Sequence, residues 1–204
     1  MSKYKNPKIT INKVYTKVGD KGRTFLIGGH SRKKSDQRIV CYGEIDELNS
    51  IIGCCIEHIS KIKKTSKDMK NLTLILKRVQ NELFNLGTNF ATLPEDESSD
   101  LPKIESTHIK NLENDIDYYN SFLKPLSSFV LPGGSLCNTW LHFARTVCRR
   151  VERSAVRLET KEQLNKHSLV YLNRLSDALF VFSRWVINCE DKSESLWDPN
   201  FKTT

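Results

Sequence analysis

Three arginines, Arg145, Arg149 and Arg153, recur every four residues in the stretch HFARTVCRRVERSAV. In an α-helix that spacing turns the side chain by only about 40° per step, so the three guanidiniums share one face. Glu152 belongs to the same face and offsets their mutual repulsion only in part. A guanidinium donates in a planar fork, and the groups that fit the fork are carboxylates and phosphates. The row therefore suits an anion or a partner carboxylate. A solvated face with structural ion pairs is the other reading, and this helix alone leaves both open.

Three further segments hold chemistry-bearing residues. In YTKVGDKGRTFLIGG, Gly19 and Gly22 bracket Asp20 and Lys21, with Thr16 and Lys17 before them and Thr24 just after. Glycines let backbone N–H groups approach a ligand and lysines add point charge, a combination that suits phosphate oxygens. The G-x-x-x-x-G-K-[ST] pattern of a Walker loop is absent, and a plain β-turn is the simpler reading of G-D-K-G by itself. In FVLPGGS, Pro132 and Gly133–Gly134 predict a tight turn that delivers Ser135 to a helix start, with the aromatic Phe129 beside it as core plug or ligand contact. In YLNRLSDALFVFSR, Asn173, Asp177 and Arg184 fall within about 40° on a polar helix face. Such a face ordinarily meets water, but an asparagine there can read a hydroxyl or a phosphate.

Elements with apolar stripes must position these residues. Ile45, Leu48, Ile52, Cys55 and Ile59 predict a helix over about 38–60, and Leu72 through Phe90 predict a second that stops before Pro94. Ile109, Leu112, Ile116 and Tyr119 predict a third. A fourth is expected over 136–160, with Ala144, Cys148, Val151, Ala155 and Leu158 inward. A fifth is expected over 167–189, on Leu172, Leu175, Leu179, Phe182 and Val186. Five single-striped helices with mostly short connections predict an all-α, five-helix antiparallel bundle. One domain over 1–204 is expected: an extended N-terminal arm and loops over 1–35, the bundle over 36–190, and a tail over 191–204.

The 204 residues are 38% hydrophobic, enough for a core, and the mean hydropathy is −0.46. No run approaches eighteen apolar residues, which excludes a spanning helix. The opening MSKYKNPKITINKVYTK has neither the apolar region of a secretory signal nor an evident transit peptide, so the cytoplasm or the mitochondrial matrix is expected. The net charge of +8 favours anionic partners. The lysine run Lys61, Lys63, Lys64, Lys67, Lys70 has no aromatics interleaved for base stacking, so nucleic acid is not expected. Six cysteines form no C-x-x-C pair and sit mostly at apolar helical positions, and five histidines show no metal-ligand spacing.

In order and at suitable distances, YTKVGDKGRT, SDQRIVCYGEIDELNSIIG, FVLPGGS, HFARTVCRRVERSAV and YLNRLSDALFVFSR resemble the PduO-type ATP:cob(I)alamin adenosyltransferases, from about Val14 to Arg184. The resemblance implies a ferritin-like five-helix bundle assembled as a homotrimer with sites between subunits. It implies a transferase whose substrates are ATP and cob(I)alamin, with Mg2+ held mainly by the ATP phosphates. The products are adenosylcobalamin and triphosphate. Carried over by position, Thr16, Lys17, Gly19, Asp20, Lys21 and Gly22 would wrap ATP, with Thr24 and Lys34 reaching its phosphates. Arg149, Glu152, Arg153 and Asn173 would complete the nucleotide site, and Phe129 would lie under the corrin ring. Arg145 would pair with Asp46 across a subunit boundary. Hand-off to an adenosylcobalamin-dependent mutase would follow, although a cofactor carrier without turnover would keep the same residues. Departures from the family at Arg23, His30, Asn138 and Trp140 bear on substrate affinity rather than on reaction type.

Overall fold

The computed structural model describes Tyr15, residues 17–62 and residues 66–202. The expectations on Thr16, and on Lys63 and Lys64, lie outside the described residues. Five long helices carry the fold: α1 (Gln37–Ser60), α2 (Lys67–Ala91), α3 (Ser106–Asn120), α4 (Leu136–Glu159) and α5 (Ser168–Cys189).

Most of the helices start at a side-chain cap, which satisfies backbone N–H groups that have no intrahelical partner. Asp36 accepts from Arg38 N at 2.9 Å, Ser66 from Met69 N at 3.1 Å, and Ser135 from Asn138 N at 3.1 Å. Before α3, Glu105 and His108 form a reciprocal capping box. The turn before Ser135 holds because Gly134 has φ 83°, and a β-carbon there would lie 2.6 Å from Ile187 Cδ1.

Chain length dictates how the helices pair. Six residues link α1 to α2 and span at most about 21 Å, whereas a parallel return along a 24-residue helix needs about 36 Å. The helices that meet most extensively are α1 with α2, α4 with α5, α1 with α4, and α3 with α5. Between them lies one apolar cluster that includes Leu48, Leu83, Phe90, Leu112, Val151, Leu175 and Phe182. Tyr119 keys α3 into it: its ring meets Phe182 and Trp185 edge-on at 5.3 and 4.8 Å, and its hydroxyl donates to Asp68 O at 2.9 Å.

Two short sheets decorate the ends. The arm, expected as extended chain and loops, forms a 3-10 turn (Val18–Lys21) and an antiparallel hairpin of β1 (Arg23–Phe25) and β2 (Ser31–Lys33). It is anchored by a satellite cluster of Leu26, Ile39 and Leu93, and by Ile27 N donating to Ala91 O at 2.9 Å. At its tip Gly28 has φ 93°, and a β-carbon there would meet the Asp96 carboxylate at 2.4 Å. The second sheet pairs β3 (Val130–Leu131) with β4 (Ser195–Leu196), so part of the expected tail is strand.

Arg38 ties these parts together. Only 1% exposed, it donates to Phe90 O and Thr92 O, each at 3.0 Å, and pairs with Glu162 at 2.9 Å. Through its Nε and Nη1 this buried guanidinium fixes the α1 start, the α2 end and the α4–α5 connection together.

Candidate active site

α4 packs its apolar stripe inward and leaves its arginines on a neighbouring face. Arg150 is absorbed inside the chain, pairing with Glu47 and, at 3.8 Å, with Glu44 of α1. Among the described residues no ion pair holds Arg145, Arg149 or Arg153. Arg153 donates only to Arg149 O at 3.0 Å, and both side chains are exposed. Opposite them on α5, Asn173 donates Nδ2 to Glu152 Oε1 at 3.0 Å and receives a longer bond, 3.4 Å, from Arg174. The structure thus brings Arg149, Glu152, Arg153 and Asn173 onto one surface with two guanidiniums free to bind an anion.

Arg145 differs from these two. Its Nε is buried without a hydrogen-bond partner, and its guanidinium lies 6.0 Å from the centre of the Phe180 ring. Burial first, and the nearby positive charge of Arg149 second, push its pKa down. A half-buried cation facing a like charge is costly unless a carboxylate comes to it. Asp46 is exposed on α1 and lines a different cavity, of about 460 Å3, with Tyr42 and Phe84. Within the chain no ion pair joins Asp46 to Arg145.

Phe129 is 78% exposed, so the core-plug reading fails. It lines a cavity of about 690 Å3 with Leu126, Val130, Arg145, Phe180 and Trp197. Mostly apolar walls, with Ser127, Ser128 and one basic group among them, suit a large, mostly apolar ligand that carries polar substituents.

In the arm, Lys17 adopts φ 60° and Gly22 donates to Gly19 O at 3.1 Å, rounding the G-D-K-G segment. Lys34 N donates to Gly22 O at 2.8 Å, and a β-carbon on Gly19 would lie 2.9 Å from Lys34 Nζ. Lys34 is thereby brought over the segment that carries Asp20 and Lys21, while Thr24 sits half-buried in β1. No hydrogen bond or ion pair joins the arm to the arginine face among the described residues.

The departures noted in the sequence have structural roles. His30 pairs with Asp96 at 3.2 Å, and Arg23 donates across the hairpin to Ser31 Oγ at 2.9 Å. Asn138 accepts from Gly133 N at 3.1 Å and donates to Ser183 O at 3.0 Å, holding the P-G-G turn. Trp140 stacks on His58 at 5.9 Å, away from the residues above. Sequence reasoning missed Phe180 and Trp197. Phe180 lies off the apolar stripe of its helix, a signal that could have marked it, whereas Trp197 follows no period.

The class so defined is a helical-bundle protein that presents an exposed arginine face on its fourth helix. By family, the chain belongs to the cobalamin adenosyltransferases, whose profile matches residues 14–186. It is 42% identical over 174 residues to the corrinoid adenosyltransferase of Bacillus subtilis, covering 85% of this chain and 86% of that protein. It is 35% identical over 199 residues to the Homo sapiens corrinoid adenosyltransferase, covering 96% and 76%. A PduO-type ATP:corrinoid adenosyltransferase variant from Lactobacillus reuteri, solved with cobalamin and ATP, superposes with TM-score 0.83 at 35% identity, covering 92% of this chain and 97% of that one. Among the described residues no helix is long and apolar enough to cross a membrane.

Proposed function

We propose that the protein transfers the 5′-deoxyadenosyl group of ATP to the cobalt of cob(I)alamin, giving adenosylcobalamin and triphosphate. The observation that carries this reading is Arg145, whose partnerless guanidinium stands between an exposed anion-binding face and an apolar cavity. A polyanionic nucleotide and a corrin ring need those two environments side by side.

Cob(I)alamin is itself the nucleophile, so no serine, cysteine or histidine has to be activated. The cobalt electron pair forms the Co–C5′ bond, and the C5′–O pair departs with the triphosphate. The protein's share is to align the reactants and stabilise the leaving charge. Arg149 and Arg153 bind phosphate oxygens, Asn173 positioned by Glu152 orients the nucleotide, and Thr16, Lys17, Gly19, Asp20, Lys21, Gly22, Thr24 and Lys34 wrap it. Phe129 fills the space below the corrin and keeps the lower axial base and water off the cobalt, which eases reduction to Co(I).

Among the described residues no group of three or more His, Cys, Asp or Glu side chains could hold a metal ion. A Mg2+ would enter with ATP, held by its phosphates and by water. Bound there, Mg2+ would supply charge neutralisation on the leaving oxygens.

The buried, unbonded Nε of Arg145 supports sites completed between subunits of a homotrimer, with Asp46 of one chain meeting Arg145 of the next. Product would pass to an adenosylcobalamin-dependent mutase in the cytoplasm or the mitochondrial matrix. The test mixes protein, ATP, Mg2+ and chemically reduced cobalamin and follows the corrinoid spectrum. A light-sensitive adenosyl product formed over many turnovers, with free triphosphate, is expected. Absence of that product contradicts the reading, and stoichiometric binding alone makes the protein a carrier.

A further inference from the structure

The segment after α5 lies outside the residues matched by the family profile, and the sequence reads as a polar tail. The structure gives it an anchor and a destination. Arg184, on the last turns of α5, is 7% exposed and pairs with Glu194, 14% exposed, through bonds of 2.7 and 3.1 Å. The same guanidinium donates to Lys124 O at 2.9 Å, on the loop that leads to Phe129. This pair is among the least exposed in the chain, so it fixes the tail where a surface ion pair would not.

From that anchor β4 pairs with β3, setting Val130 opposite Leu196 and Leu131 opposite Ser195. Just beyond, Trp197 N donates to Phe129 O at 2.7 Å, and Ser128 Oγ donates to Trp197 O at 2.7 Å. Two bonds thus bracket the backbone of Phe129. The Trp197 ring, 49% exposed, stands 6.3 Å from the Phe129 ring at 59° and forms part of the wall of the same cavity. An exposed phenylalanine on a loop has little reason to hold one rotamer, since nothing packs it in place. Here the tail strand supplies backbone pairing and a neighbouring aromatic wall.

We propose that the tail strand, anchored by Arg184 and Glu194, is a positioning element for Phe129, with Trp197 as the residue that holds the phenylalanine at the angle needed to exclude the lower axial base. This rests on the adenosyltransferase reading and deepens it. Trp197 acts through Phe129, so its loss should leave ATP binding alone and change the state of the bound corrinoid.

The experiment compares the full-length wild type with Trp197→Ala and Trp197→Phe. Three readouts are taken: the helical signal by circular dichroism, ATP affinity by titration, and the fraction of bound cob(II)alamin lacking its lower base by electron paramagnetic resonance. Trp197→Ala is expected to keep the helical signal and to hold ATP affinity within about twofold. The base-free fraction should fall at least about fivefold, and Trp197→Phe should restore more than half of it, because an aromatic wall returns. A wild-type base-free fraction in Trp197→Ala overturns the inference, as does a phenylalanine variant no better than alanine. Equal losses in ATP affinity and base-free fraction also overturn it, since they mark general damage. If Trp197→Ala fails to fold, Ser128→Ala removes one bond to the same strand, and an unchanged base-free fraction there overturns the inference. Wild-type protein that binds no corrinoid removes the adenosyltransferase reading, whereas normal wild-type turnover with a silent Trp197→Ala removes this inference alone.

Discussion

Asn173 on α5 donates its amide to Glu152 on α4 at 3.0 Å, so the face that carries Arg149 and Arg153 is braced by a neighbouring helix. The carboxylate that tempers the arginine row is also the group that orients the asparagine. Charge and geometry on this surface are therefore set by the same contact.

Arg149 is exposed and makes no ion pair within the described chain, so Arg149→Ala should leave stability within about 0.5 kcal/mol of wild type. Turnover should fall by at least about 100-fold, the usual loss when one donor to a developing anion is removed. Arg149→Lys should recover little, because an ammonium cannot reproduce the fork. Thermal melts and steady-state kinetics check both halves. Activity near wild type in Arg149→Ala would remove it from the site.

For Arg145 the missing partner is the point. If Asp46 of an adjoining chain covers its buried Nε, then Asp46→Ala strands the cation and weakens assembly by about 3–5 kcal/mol. Sedimentation velocity should show dissociation at concentrations where wild type stays assembled. The exchanged pair, Asp46→Arg with Arg145→Asp, should recover part of the assembly. An unchanged oligomer in Asp46→Ala would contradict the pairing.

Phe129→Ala removes an exposed side chain, so the fold should be indifferent to it. The corrinoid should not be. Adenosylation starting from cob(II)alamin with a reductant should slow by about tenfold or more, and attack by pre-formed cob(I)alamin by less than about threefold, because only the first route needs the lower base expelled. Equal losses in the two assays would dismiss that role.

His142 makes a prediction about acid. It is buried with Nδ1 unpaired and Nε2 at 3.2 Å from Ser183 Oγ, and its pKa is lowered from 6.5 to about 4. Burial is the main cause and the Arg145 charge adds to it, while Glu194 opposes. Because the folded pKa is depressed, the unfolded chain takes the proton first as pH falls. The stability from a neutral His142 is complete above about pH 6.5 and is lost toward pH 4, by roughly 3 kcal/mol. Urea midpoints between pH 7.5 and about 4.5 should fall accordingly in wild type, and less steeply in His142→Gln. Parallel slopes would acquit His142.

Much of the bundle was legible because its stripes are regular: the helix expected at 136–160 is Leu136–Glu159, and that at 167–189 is Ser168–Cys189. The P-G-G turn capped by Ser135 was equally readable, since glycine and serine chemistry is local. The hairpin was not, because R-T-F and S-R-K are short and largely exposed, with too little alternation to mark a strand. Trp197 was hidden for a related reason: β4 is two residues long, and its meaning lies in a partner strand sixty-odd positions away. Of the site, α4 and α5 showed their polar faces in the sequence. How the arm relates to the arginine row was not readable, because no helical period links residues 17–34 to α4.

The central claim is that the arm of one subunit and the arginine face of another close on one nucleotide, and mixing two inactive proteins tests it most directly. One carries Arg149→Ala, the other Lys21→Ala with Lys34→Ala, and the pair is unfolded and reassembled together in equal amounts. Shared sites predict that about a quarter of wild-type activity returns, since random assembly places an intact arm beside an intact Arg149 in one site of four. A mixture as inactive as its parents would contradict the account.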